Sequence, residues 1–224
     1  MHSYSIDRDL RVKVATILFV VAMLVSVFFS VFLGDVVIDI TNGVNNSKVK
    51  NIILMLNWIG AIPDLFGVSI WYAILTLFYK KVAWKWKWVK CFHGIPDLNG
   101  DWKGKLKSSF NNKEITMIMS IEQDWNKISI KTEFPKTSSV SYSNVAAIYV
   151  DSNKGVEIFF GYENESQDLE NGLQVHYGYN ILNLKNNNEI IARYFNDRIN
   201  PDKNIKGGNK GTFELKKVNA TMKK

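Results

Sequence analysis

With a single cysteine, Cys91, the chain can form no intrachain disulfide, and that scarcity suits a soluble part held in a reducing compartment. Histidine is nearly as scarce. His2, His93 and His176 lie far apart, and no spacing among them and Cys91 matches a zinc motif. The P-loop pattern G-x-x-x-x-G-K-[ST], the nucleophile elbow G-x-S-x-G and the zinc-protease pattern H-E-x-x-H are all missing. The run Gly207-Gly208-Asn209-Lys210-Gly211 is too generic for a phosphate cradle and reads as a turn into a last strand. His176 has no evident serine or cysteine partner, and Glu133, Glu157 and Asp197 are scattered carboxylates rather than an acid/base pair. No enzyme chemistry, cofactor or metal is expected. A dense basic stripe is lacking too: the net charge is +7, but residues 99–224 hold 18 Lys/Arg against 15 Asp/Glu. That balance excludes a duplex-DNA binder, and no DNA or RNA polymer is expected as partner.

What is present is distributed unevenly, because the long apolar runs all precede residue 80. Val14 to Gly34 is 21 residues without a charge, and a helix of about that length crosses a hydrocarbon core of about 30 Å. A cleaved signal would have a shorter apolar region, roughly 7–15 residues, and a small-x-small cleavage site; Phe32-Leu33-Gly34 is a poor one. A second apolar stretch, Ile52 to Tyr79, is interrupted by Asn57 and by Pro63-Asp64. Two spans are therefore expected, at about 14–34 and 59–79, within a hairpin of residues 1–90. Asp64 has two readings: a carboxylate favoured near a helix N-terminus, or a membrane-embedded group that matters to pore behaviour. Arg8, Arg11 and Lys13 precede the first span, and Lys80, Lys81, Lys85, Lys87 and Lys90 follow the second. The loop between has only Lys48 and Lys50, so both termini should be cytoplasmic in a multi-pass membrane protein. Trp84-Lys85-Trp86-Lys87-Trp88 reads as an interfacial anchor to membrane lipids, with a single-strand stacking strip as the alternative.

After a turn-rich linker at 91–98 the period changes. Short alternating runs separated by Asn, Gly, Lys and Pro clusters predict eight strands over 99–218, with 219–224 as a tail. They are Asp101–Phe110, Glu114–Asp124, Lys127–Phe134, Val140–Val150, Val156–Glu163, Gln174–Leu184, Glu189–Phe195 and Gly211–Val218. Sequential hairpins of this kind suit an all-β, eight-stranded up-and-down, lipocalin-like barrel, since closure removes exposed edges and leaves room for one small ligand. A sandwich is the alternative. Ser139, Ser141 and Ser143 alternate with Val140, Tyr142 and Asn144, which places three hydroxyls on one face, either solvent or pocket. Arg193-Tyr194-Phe195-Asn196-Asp197-Arg198 joins stacking surfaces to two guanidiniums suited to phosphate, although one arginine could simply pair with Asp197. Candidate ligand contacts are accordingly Trp102, Ser141, Tyr142, Arg193, Tyr194 and Arg198.

Two N-terminal spans, the I-P-D-L-x-G-x-W-x-G segment at Ile95–Gly104, His176-Tyr177-Gly178, Tyr194–Arg198 and a β-rich remainder resemble the CBASS two-transmembrane β-barrel effectors. Such proteins accompany bacterial cyclic-oligonucleotide synthases in anti-phage operons. The resemblance implies a signal-gated membrane killer: a cyclic dinucleotide binds the cytoplasmic barrel, a homo-oligomer forms, and the clustered hairpins compromise the inner membrane. Two other readings remain at this point: a membrane-tethered, lipocalin-like binder of a small apolar metabolite, and a structural envelope protein whose barrel binds another protein.

Overall fold

The structure, a computed structural model, describes residues 1–6, 8–43, 46–51, 64–109, 114–136, 139–151, 153–166, 175–186, 188–197 and 209–218. The chain divides into two compact units, Arg8–Ala83 and a strand-rich unit of Met1–Asp7 with Trp84–Lys224.

The first unit is helical. Helix α1 (Arg8–Gly43) contains Asp9–Ser30, 22 residues of mean hydropathy 2.5, the one helix among the described residues that is long and apolar enough to cross a membrane. Leu24, Val27 and Phe28 along it are more than 60% exposed, a pattern water would penalise and lipid would not. Helix α2 (Asp64–Lys81) packs on α1 through small residues and rings. Ala22 and Ser26 are buried, and a Cβ on Gly67 would lie 2.8 Å from the Ser26 hydroxyl, so Gly67 sets how closely the two backbones approach. Phe29 stacks on Trp71 at 4.7 Å and Phe19 meets Tyr72 edge-on at 6.0 Å. Residues 59–63 of the expected second span lie outside the described residues.

In the strand-rich unit, eight strands follow one another as antiparallel neighbours: β2 (Gly100–Ser108), β3 (Glu114–Gln123), β4 (Lys127–Phe134), β5 (Ser139–Asp151), β6 (Gly155–Ser166), β7 (His176–Asn186), β8 (Glu189–Asn196) and β9 (Lys210–Lys217). The last pairs with the first of these, from Trp102↔Lys217 to Ser108↔Gly211, and the sheet closes. Eight strands were expected and nine are found. The ninth, β1 (His2–Ser5), comes from ahead of the apolar run and lies between β4 and β5. Its place follows from a bulge in β5 between Ser143 and Val145. β4 and β5 pair only over Lys131–Phe134 and Ser139–Tyr142, and beyond that point they part. β1 fills the seam, antiparallel to β4 at His2↔Ile128 and parallel to β5 at Tyr4↔Ala146. Ser143 patches the fork: its hydroxyl accepts the Ile130 N–H at 2.9 Å and meets His2 Nε2 at 2.8 Å. The inserted strand covers two edges that would otherwise be open templates for another chain.

One end of the ring is plugged. Helix α3 (Lys87–His93) ends at Gly94, whose φ of 69° is the left-handed conformation glycine adopts without penalty. Trp102 is fully buried and its indole N–H donates to the Leu98 carbonyl at 2.9 Å, while the Leu98 N–H donates to Gln123 Oε1 at 2.9 Å. Of the W-K-W-K-W run, Trp84 is fully buried in a cluster with His93 and Trp125, whereas Trp86 and Trp88 are exposed, so the expected anchor is divided between core and surface.

His93 carries a testable consequence. The Ile95 N–H donates to Nδ1 at 2.9 Å and Nε2 donates to the Trp84 carbonyl at 3.0 Å, an arrangement that needs the neutral imidazole. Burial holds the His93 pKa below its ordinary 6.5, against the Trp84 bond and with help from the Lys90 charge. The unfolded chain therefore takes up a proton that the folded one resists. The stability contributed by neutral His93 is fully present above pH 6.5 and is lost as pH falls below it towards the folded value. The difference in urea midpoint between the native protein and His93→Leu should shrink as the pH falls from about 7.5 to about 5. A difference constant across that range contradicts this account of His93.

Candidate functional site

Inward-facing residues change character along the axis of the ring. Near the plug they are apolar, with Ile128, Ile148, Ile158, Leu182, Ile190 and Leu215 at 1% exposure or less. Toward the opposite end the same inward parity of each strand delivers polar groups. On β6, Ile158 and Phe160 are followed by Tyr162 and Asn164; on β8, Ile190 and Ala192 are followed by Tyr194 and Asn196. At this end the wall opens into a cavity of about 260 Å³.

Its lining combines aromatic faces, amides and hydroxyls, and among the described lining residues there is no Lys, Arg, Asp or Glu. Asn164 organises one side. Its Nδ2 donates to the hydroxyls of Ser139 and Ser141, both at 2.8 Å, and its Oδ1 stands 3.0 Å from Ser139 Oγ. Asn180 differs. It is 6% exposed, directly paired with Phe160 on one side and Tyr194 on the other, and no hydrogen bond among the described residues engages its side-chain amide. A buried amide left open toward a cavity is a group held ready for a ligand or water. Tyr162 lies across Gly178, where a Cβ would collide with the phenol ring, so the glycine is what admits it. Burial pushes the Tyr162 pKa up to about 12, with the Asn196 hydrogen bond opposing, so its hydroxyl stays a neutral donor throughout the physiological range. Asp197 pins β7 to β8 at the rim: its carboxylate accepts the Tyr177 N–H at 2.8 Å, and its own N–H donates to the Tyr177 carbonyl at 3.0 Å.

The plugged end and the cavity fall within one recognisable stretch of sequence. Residues 93–217, from the last residue of α3 to the end of β9, match the family described as Cap15, cyclic dinucleotide receptor domain. The chain belongs to that family. It is also 22% identical over 140 residues to the CD-NTase-associated protein 15 of Staphylococcus schleiferi, covering 62% of this chain and 74% of the relative. Both similarities support a CBASS effector of the Cap15 type.

The structure distributes the candidate ligand contacts over three places. Ser141 and Tyr194 line the cavity, and so does His176. Trp102 is inward but sits in the plug, bonded to Leu98 and absent from the cavity wall. Tyr142 and Arg193 face outward, Tyr142 at 43% exposure, and Arg193 belongs to an external groove with Lys107 and Lys210. Arg198 lies outside the described residues, and Asp64 is the first residue of α2, in the other unit. The residues missed from sequence are chiefly asparagines: Asn164, Asn180, Asn196 and Asn209 all line the cavity. Asparagine is ordinarily a turn signal, but the period of two set by Ile158, Phe160 and Tyr162 would have placed Asn164 inside.

Proposed function

We propose that the cavity receives a cyclic dinucleotide, and that its occupation drives this CBASS effector to assemble and breach the inner membrane. The reading is carried by the lining: Tyr162, Tyr194 and Phe134 offer ring faces, and Asn180 offers an amide that no described residue engages, within a domain of the receptor family. Stacking contributes about 1–3 kcal/mol per base, and a carboxamide matches a base edge with two hydrogen bonds. At about 260 Å³ the cavity is smaller than the usual ligand site, which spans roughly 300–1,000 Å³. The bases accordingly enter, and the phosphates stay toward the mouth. A holder of apolar metabolites needs dry, apolar walls, and this cavity presents hydroxyls and the open amide of Asn180.

The protein is a receptor rather than a catalyst. In this proposal α1 forms one membrane span and α2, extended back to about residue 59, forms the second. Both termini are cytoplasmic, with Trp86 and Trp88 seated among headgroups.

The full chain in detergent should bind at least one 3′,3′-linked cyclic dinucleotide (di-AMP, di-GMP, GMP–AMP or UMP–AMP) by calorimetric titration, in preference to the linear dinucleotide and to palmitate. Because Tyr162 titrates only near 12, affinity should change by less than about twofold between pH 7 and pH 9. Arg193→Ala, on the outer surface, should leave it intact. Palmitate binding without any cyclic dinucleotide binding sinks the proposal in favour of the lipocalin-like alternative.

A further inference from the structure

The outer wall of the strand-rich unit is divided in charge and in polarity. β5 and β6 carry Asp151, Glu157, Glu163 and Glu165 and neither a lysine nor an arginine. On their outer faces β2 and β9 carry Lys103, Lys105, Lys107, Lys210 and Lys216 against only Asp101 and Glu214, whereas Lys217 turns inward over Trp102 in the plug. These two walls are on nearly opposite sides of the ring, since β2 and β6 are separated by three strands on one side and four on the other. Apolar exposure follows the same division. Among the described strand residues, the large exposed hydrophobics are Tyr142, Val145, Tyr149 and Val150 on β5, Tyr177 on β7, and Ile191 and Phe195 on β8; β2, β3, β4 and β9 have none. Tyr149, Phe159, Tyr179 and Phe195 form a continuous row of rings across β5 to β8, with centroids 5.7, 6.4 and 5.6 Å apart. A ladder of aromatics with its two ends, Tyr149 and Phe195, exposed and its middle half-buried is a contact surface in search of a partner.

From this division we infer that the acidic, aromatic wall of one copy docks on the lysine wall of the next, a head-to-tail contact that supplies the assembly step; the inference rests on the receptor reading above. Three observations fix the occupant as a second copy. The charges are complementary within a single chain. They also lie at the same height: β2 and β6 both run from the plug toward the cavity, so Lys105 and Lys107 stand level with Glu163 and Glu165, the neighbours of the cavity residues Ser108 and Asn164. Copies joined this way stand side by side with their mouths facing one direction. Finally, the lysine side is grooved along its border with β8, where Lys107, Lys210, Arg193 and the ladder's last ring, Phe195, surround a hollow of about 650 Å³ that can accept protruding acidic and tyrosine side chains. A contact between unlike surfaces closes into a ring or extends as a filament, unlike a two-fold dimer. It also accounts for ligand control, because β2, β6 and β9 carry cavity residues on their inner faces, and a ligand that favours their docked arrangement favours assembly.

The test uses charge reversal in the full chain, with binding and assembly measured on the same samples. Lys105→Glu/Lys107→Glu reverses the charge of the lysine wall near the mouth, and Glu163→Lys/Glu165→Lys reverses that of the acidic wall at the same height; none of these residues lines the cavity. With the cyclic dinucleotides named above, each variant alone should bind as the native chain does. Each should yield at least about tenfold less carbodiimide-cross-linked oligomer, since like charges now face each other. Mixed in equal amounts, the two should co-assemble to within about twofold of native yield, because each wall again meets its opposite. Variants that bind and assemble normally overturn the interface while leaving the receptor reading intact. So does a mixture that stays unassembled, and if Lys105→Glu/Lys107→Glu has then lost sedimentation with phosphatidylglycerol vesicles, the lysine wall faces lipid instead. A native chain that binds none of the cyclic dinucleotides overturns the receptor reading and this inference together.

Discussion

Replacing Asn180 with leucine should weaken cyclic dinucleotide binding roughly ten- to a hundredfold while leaving the melting temperature unchanged or raised. The two effects part company because of what the amide touches. Asn180 is buried between Phe160 and Tyr194, and no hydrogen bond among the described residues ties down its side chain. In the empty protein its desolvation is therefore uncompensated by protein partners, and an isosteric leucine removes that cost. In the complex the same leucine leaves a base edge facing an apolar group, a loss of about 1–3 kcal/mol. Asn164→Leu is the control. Its amide already holds Ser139 and Ser141, so that substitution strands two hydroxyls and should lower stability by about 1–3 kcal/mol. Tyr194→Ala should cost affinity in the same range through lost stacking, with Tyr194→Phe retaining most of it. Calorimetric titration beside thermal melts reads all four proteins. Unchanged affinity in Asn180→Leu would place the ligand elsewhere.

The contrast between these asparagines shows what the sequence could and could not convey. Strand positions were legible because apolar residues recur at every second place over runs of suitable length: Lys127–Phe134 was placed without error, and Glu189–Asn196 to one residue. The same alternation assigns each residue to a face, so the inward placement of Ser141 and Tyr194 could be anticipated. It does not say how far along the axis a residue lies, which is why Trp102, inward on β2, was grouped with the ligand contacts although it belongs to the plug. Arg193 was chosen for its chemistry, yet it occupies the outward parity of β8 between the inward Ala192 and Tyr194. β1 was invisible for a different reason. Four residues carry almost no periodic signal, and their strand state is imposed by the seam that the β5 bulge opens some 140 residues later in the chain. The external division of charge was present in the composition of each strand, but it acquires meaning only when ring order sets β2 opposite β6.

Excising Arg8–Ala83 should abolish killing altogether while leaving cyclic dinucleotide affinity within about threefold of native. The excised segment is one compact unit, and the cavity residues all belong to the other. Within it, Asp9–Ser30 supplies a 22-residue helical stretch of mean hydropathy 2.5, about 33 Å at 1.5 Å per residue, enough for the hydrocarbon core. Without that length of apolar surface the protein has no means of satisfying its backbone inside a bilayer, because the ring of strands presents lysines and glutamates outward rather than an apolar band. The excision must retain residues 1–6 on a flexible Gly/Ser linker. His2–Ser5 fills the seam between β4 and β5, and the hydroxyl of Tyr4, which is 4% exposed, donates to the Asp124 carbonyl at 3.2 Å. A protein starting at Trp84 would instead expose two strand edges and should aggregate, confusing loss of function with loss of fold. Cells expressing the full chain with its cyclic-dinucleotide synthase should admit a membrane-impermeant dye; cells with the excised form should exclude it. Dye entry at the full rate from the excised form, with its ligand bound, would show that the strand-rich unit itself attacks the membrane and that the helices do not.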